Sequence, residues 1–157
     1  MKIKLIFIGK TSFKYIGEGI SIYEKRIKHF TDFEIITIQD LKNTKNLKAE
    51  QIKQKEGELI LKNITKKDFL ILLDEKGKNY SSIEFSNFIS KKINSGIKQV
   101  FFVVGGAYGF SQDVYNHSNS LLSLSKMTYS HQIIRLFFVE QLYRAFTIIN
   151  GMPYHNE

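Results

Sequence analysis

The chain predicts an α/β fold, a mainly parallel sheet with helices on both faces. Two runs, Phe69–Leu73 and Val100–Val104, are apolar at every position, as strands covered on both faces are. Segments with apolar residues at steps of three and four alternate with the strand-like runs, the pattern of helical crossovers between parallel strands. There is no internal repeat, low-complexity tract or linker, and the single proline is Pro153, so residues 1–157 form one domain. At that length folding buries roughly 70% of the surface of the extended chain.

Lys2–Gly9 alternates as a strand. Phe13, Ile16, Ile20, Tyr23, Ile27 and Phe30 then mark an amphipathic helix, despite Gly17 and Gly19. Phe33–Ile38 is a second alternating strand, and residues 47–64 form a charged helix with a thin apolar stripe. The strand at 69–73 ends in Asp74-Glu75-Lys76-Gly77. Ser81 and Glu84 have capping-box spacing, which starts a helix running to Asn94-Ser95-Gly96. The strand at 100–104, a short helix opened by Ser111, a strand at 121–124 and a helix from about Ser130 to Asn150 complete the order. That last helix is apolar around nearly its whole circumference, from Ile133 to Ile149. Such a helix needs cover on all sides. Either a second copy packs on it by two-fold symmetry, the favoured expectation, or it lies centrally within one chain.

The net charge is +8, unevenly spread: residues 1–67 hold 15 Lys/Arg against 8 Asp/Glu, whereas residues 99–157 hold 3 of each. A one-sided basic field attracts polyanions, nucleic acid foremost, although a lysine-rich composition alone also produces it. Lysine fills all but three of the basic positions. Arg26, Arg135 and Arg144 therefore suggest sites for a planar, bidentate donor, in a phosphate contact or an interhelical salt bridge. The absence of cysteine excludes disulfides, thiolate metal sites and thiol nucleophiles, and no metal is expected. The opening apolar stretch is too short for a secretion signal and no run is long enough to span a membrane, so a cytoplasmic protein is expected.

Gly105-Gly106-Ala107-Tyr108-Gly109 follows the strand at 100–104, and Ser125-Lys126-Met127-Thr128-Tyr129 follows the strand at 121–124. Strands that end in glycine let a ligand approach bare main chain, which suggests a cofactor pocket built largely of backbone. The spacing does not fit a dinucleotide fingerprint, which needs Gly-x-Gly-x-x-Gly after the first strand and an acidic residue about 20 positions on. No Walker A loop is present.

The stretches Val103–Gly109, Leu122–Thr128, His131-Gln132, Arg135, Glu140–Ala145 and Pro153-Tyr154-His155 resemble the RlmH family, small rRNA methyltransferases of the SPOUT (α/β-knot) class. The likeness runs the full length, including Gly9-Lys10, Tyr23-Glu24-Lys25-Arg26 and Lys55-Glu56-Gly57. It implies a trefoil knot near the C-terminus and a homodimer with sites at the subunit interface. It also implies S-adenosylmethionine bound by the knot loops, and methyl transfer to N3 of a pseudouridine, position 1915 of 23S rRNA in the family's usual name.

Carried over by position, Leu73, Gly105 and Leu124, Ser125, Lys126, Met127, Thr128 and Tyr129 line the cofactor. Leu73, Leu124 and Met127 are expected to sandwich adenine. His155, Tyr154 and Arg135 are the candidate catalytic residues, with Tyr154 able to stack on a base and Arg135 to hold phosphate. Arg144, Arg26 and His131 are candidate RNA contacts. Relatives often have proline where Ser130 stands, and some end Tyr-His-Arg-Glu where this chain has Asn156. Two rival readings keep the fold: a non-catalytic RNA-binding or ribosome-assembly factor, and a SPOUT methyltransferase with another RNA target.

Overall fold

Five parallel strands form one sheet in the order β2-β1-β4-β3-β5 in the computed structural model, which describes residues 1–156. The elements are β1 (Lys2–Ile8), α1 (Lys14–Ile27), β2 (Asp32–Ile38), a 3-10 turn (Thr44–Asn46), α2 (Ala49–Leu61) and β3 (Phe69–Asn79). They continue with α3 (Ser82–Asn94), β4 (Gln99–Val104), α4 (Gln112–His117), β5 (Ser120–Ser123) and α5 (Ile133–Ile149). Each run expected from periodicity is present, with ends shifted by a few residues.

The central strands are buried on both faces because they have partners on both edges and helices above and below. Ile3, Leu5 and Phe7 of β1 and Val100, Phe102 and Val104 of β4 pack under α1, α3 and α5. Ile6, Ile8, Phe101 and Val103 point the other way, toward Ile60 of α2 and Val114 of α4. Connections that step toward β2 run through α1 and α3, and those that step toward β5 run through α2 and α4. A single crossover hand requires this division.

Two departures from the expected elements have physical causes. Strand β3 continues past Leu73 to Asn79, pairing twice with β5 around an irregularity between Leu73 and Lys78. Gly77 permits this, since a Cβ there would come within 2.6 Å of the Leu121 and Leu122 main chain. Helix α5 begins at Ile133 rather than Ser130, whose Oγ instead accepts a hydrogen bond from the Ile133 N–H. The Ser81–Glu84 capping box forms as the spacing predicts.

Helix α5 is covered by more than one side of the core, because it packs between α1 and α3 while resting on the sheet. Phe138, Val139, Leu142, Ala145 and Phe146 are buried in this way, whereas Phe137 stays 40% exposed. Central placement within one chain therefore accounts for most of the apolar circumference. Among the described residues no helix is long and apolar enough to cross a membrane.

Candidate active site

The carboxyl ends of β3, β4 and β5 open into a cleft of about 590 Å3, a common size for a small-molecule site. Parallel sheets favour ligands at this edge, where strand ends and helix starts leave main chain unpaired. Leu73 ends the regular part of β3, Gly105 follows β4, and Leu124, Ser125, Met127, Thr128 and Tyr129 follow β5. All seven lie in the wall of this one cleft, with His131 at its rim. Lys126 points into solvent and is not part of the wall. The loop is held by Ser125, whose Oγ accepts from the Met127 N–H while its carbonyl accepts from Ser123 Oγ. Met127 is 73% exposed, so its side chain stands open over the cleft rather than closing it.

The glycines have reasons the motif did not reveal. A Cβ on Gly105 would lie 3.0 Å from the ring of Phe110, which is buried in the core beside it. Gly105 thus makes room for a side chain of this protein, and its remaining main chain lines the cleft. A Cβ on Gly106 would lie 2.7 Å from Glu56 Oε2. Of the three glycines of this turn, only Gly109 is required by backbone conformation, with φ at +81°.

Residues missed in the sequence also line this cleft. The Tyr115 hydroxyl donates to Asp74 Oδ2, and Asp74 Oδ1 accepts from the Lys76 N–H. Burial and the Asp74 contact push the tyrosine pKa up, so the phenol stays protonated and the turn after Leu73 stays braced. The short helix opened by Ser111 gave no signal that Tyr115 would reach across to β3.

Arg135 requires a correction. It is 0% exposed, with Nη1 donating to the Gly9 carbonyl and Thr11 Oγ1, Nη2 to the Ile8 carbonyl, and Nε to the His131 carbonyl. The guanidinium also lies over the Phe7 ring, 4.7 Å from its centroid. Burial lowers its pKa while Asp40 opposes the shift. No face is left for substrate or phosphate. Arg135 ties the start of α5 to the end of β1, helped by Gln132, which accepts from the Ser12 N–H and donates to the Lys10 carbonyl.

The other candidates gather elsewhere. Tyr154 Oη donates to Glu140 Oε1 at 3.1 Å and lies 3.3 Å from Tyr23 Oη. Arg144 donates to the same Glu140 oxygen through Nε and Nη2, and its Nη1 is 3.3 Å from His155 Nδ1. Arg26 stacks over Tyr23 and Tyr143, and Arg144 over Tyr154. Residues far apart in sequence, Arg26, Arg144, Tyr154 and His155, thus form one polar cluster on the outside of α1 and α5. Hydrogen bonding to Glu140 raises the Arg144 pKa. Burial, then hydrogen bonds to Tyr23 and Glu140, raises that of Tyr154. Within one chain this cluster shares no residue with the cleft wall. Arg144 lies ten positions along α5 from Ile134 in the wall, roughly 15 Å along the axis.

Among the described residues no three His, Asp or Glu side chains come together to hold a metal. The cleft does suit an adenosyl group, with apolar walls at Leu73, Leu122, Leu124 and Ile134 beside stretches of bare main chain.

Comparison with known proteins agrees with this architecture. A family model described as "Predicted SPOUT methyltransferase" matches residues 1–155. Ribosomal RNA large subunit methyltransferase H of Christiangramia forsetii is 55% identical over 156 residues, covering 99% of both chains. The proteins of the same name from Parabacteroides distasonis and Flavobacterium psychrophilum are 54% and 55% identical over 157 residues, the full length of each. The chain belongs to the SPOUT methyltransferase family.

Proposed function

We propose that the chain is an S-adenosylmethionine-dependent enzyme of the cytoplasm that methylates N3 of a pseudouridine, position 1915, in 23S rRNA. The observation that carries this is end-to-end identity above 50% to proteins named as large-subunit rRNA methyltransferases. The cleft lined by the glycine turn and by Leu124, Ser125, Met127, Thr128 and Tyr129 supports the cofactor assignment.

A bound sulfonium donor would supply a methyl group that is already electrophilic. What remains for the protein is to position the acceptor and favour loss of its imide proton. Arginine only donates, so the Arg144–His155 contact makes His155 Nδ1 an acceptor and leaves the ring proton on Nε2. In that tautomer His155 offers a donor to a base carbonyl, which stabilises the imide anion, and the N3 proton leaves to solvent. Tyr154 provides a ring for the base to stack on, and Arg26 and Arg144 provide positive charge for phosphate.

Cleft and tail must meet for this chemistry, and one chain holds them apart. A homodimer brings the tail cluster of one chain to the cleft of the other. Phe13, Tyr15, Ile22, Phe137 and Ile149, exposed around α1 and α5, offer apolar surface for it. The family reading also carries a trefoil knot, supported by the return of residues 130–135 to the end of β1, and an experimental backbone trace tests it.

Mass spectrometry of rRNA nucleosides tests the activity. A strain lacking this gene should lose N3-methylpseudouridine and no other modification, and the wild-type gene should restore it. Loss of a different nucleoside would assign another target, and no loss would leave a non-catalytic ribosome factor.

A further inference from the structure

A second cleft, of about 490 Å3, lies across the glycine turn from the first and shares Gly106, Ala107, Tyr108 and His131 with it. It opens at the ends of β1 and β2, where Ile8, Asp40 and Lys45 contribute to its wall. Glu56 enters it from α2, part of the Lys55-Glu56-Gly57 motif to which the reaction gives no role. Its carboxyl group lies against the Gly106 main chain, in the space a Cβ would fill, and Oε2 is buried with no hydrogen-bond partner. An unpaired buried carboxylate oxygen is costly, and a water, an ion or a ligand group that pairs with it relieves that cost. Burial, then the charge of Asp40, raises the Glu56 pKa, as expected for a carboxylate that lacks its cation.

We propose that the second cleft receives the amino-acid end of the adenosyl sulfonium donor, with Glu56 as the partner of its α-ammonium group. This rests on the methyltransferase reading, under which the adenosyl part occupies the first cleft. A donor held there presents its zwitterionic end toward the turn at Gly106, Ala107, Tyr108 and His131 that the two clefts share, with the Glu56 carboxyl against the Gly106 main chain. The second cleft offers both signs of charge: Glu56 and Asp40 suit the ammonium, and Lys45 suits the carboxylate. Charge-assisted pairing in a partly desolvated site is stronger than a neutral hydrogen bond, which gives Glu56 a share in selecting donor over bare nucleoside.

Calorimetric titration of the full chain with S-adenosylhomocysteine and with 5′-methylthioadenosine, which lacks the amino-acid end, tests this. Glu56→Gln keeps the shape and removes the charge. It should weaken S-adenosylhomocysteine about tenfold and leave methylthioadenosine within about twofold. A deaminated S-adenosylhomocysteine should bind the wild type about tenfold more weakly than the parent, and the E56Q protein no more weakly, a readout that needs no second variant. Equal weakening of both nucleosides by E56Q would make Glu56 only a brace for the glycine turn, and undiminished S-adenosylhomocysteine binding would remove it from the site. Either result overturns the proposal while leaving the methyltransferase reading intact. Failure of the wild type to bind S-adenosylhomocysteine would overturn both.

Discussion

At the scale of single residues, chemistry-bearing side chains divide by what already occupies their hydrogen bonds. Arg135 and Arg144 lie on the same helix nine residues apart and look alike in sequence. Arg135 spends its donors on the Ile8, Gly9 and His131 carbonyls, and Arg144 on Glu140 and His155. Arg135→Met should therefore destabilise the protein by about 3 kcal/mol or more, since three main-chain carbonyls lose a charged donor. A reduced urea midpoint checks this, whereas a substrate-contact role would leave the midpoint unchanged. Glu56 predicts a pH effect. Its folded pKa is raised above the ordinary carboxyl value of 4.5, so the folded state holds this proton more tightly than the unfolded chain. Its contribution is therefore most favourable in acid and is lost as pH rises from that value through the folded pKa. Ligand-free E56Q should be more stable than wild type at pH 7, with the difference shrinking toward pH 4. Thermal melts across that range measure it, and a gap that grows in acid would contradict the sign.

At the scale of elements, identical residues in similar helices serve opposite ends. Gly17 in α1 has open space where its Cβ would stand. Gly57 in α2 has Ser111 Oγ 2.4 Å from that point and Val114 Cγ2 at 3.0 Å. Ser111 Oγ in turn accepts from the Val114 N–H and starts α4, so displacing it costs a cap. Gly17→Ala should raise stability by about 0.5–1 kcal/mol through backbone entropy. Gly57→Ala should lower it by about 1 kcal/mol or more despite the same helix gain. Urea unfolding of the two variants side by side separates propensity from packing. The order of strands and helices was legible because periodicity reports burial directly. The two-stage pairing of β3 with β5 was not, since it depends on the closeness of two backbones at Gly77, which no local pattern encodes.

At the scale of the whole molecule, the proposed reaction draws on a cleft and a tail cluster that one chain holds apart. If tail and cleft from different chains make each site, a cleft-deficient chain co-expressed with a tail-deficient one should regain activity. Thr128→Trp, at an exposed position of the cleft wall, supplies the first defect and Tyr154→Ala with His155→Ala the second. Each heterodimer then has one intact site of two, so a mixed population should show roughly a quarter of wild-type activity from random pairing. Methylation assays on ribosomes from a deletion strain, with sedimentation to confirm the dimer mass, check this. Activity no greater than that of either parent alone would place both parts in one chain.

The sequence by itself determined the α/β class, the order of elements, the family and the loops that face the cleft, because each is written in local periodicity or in short motifs. Tertiary structure alone decided that Arg135 is a buried clamp and that Gly105 and Gly106 accommodate Phe110 and Glu56. It also decided that Arg26, Arg144, Tyr154 and His155 form one cluster. Those outcomes depend on which side chains meet across the sheet and between helices, and residue type and spacing do not encode the distance between atoms that the fold brings together.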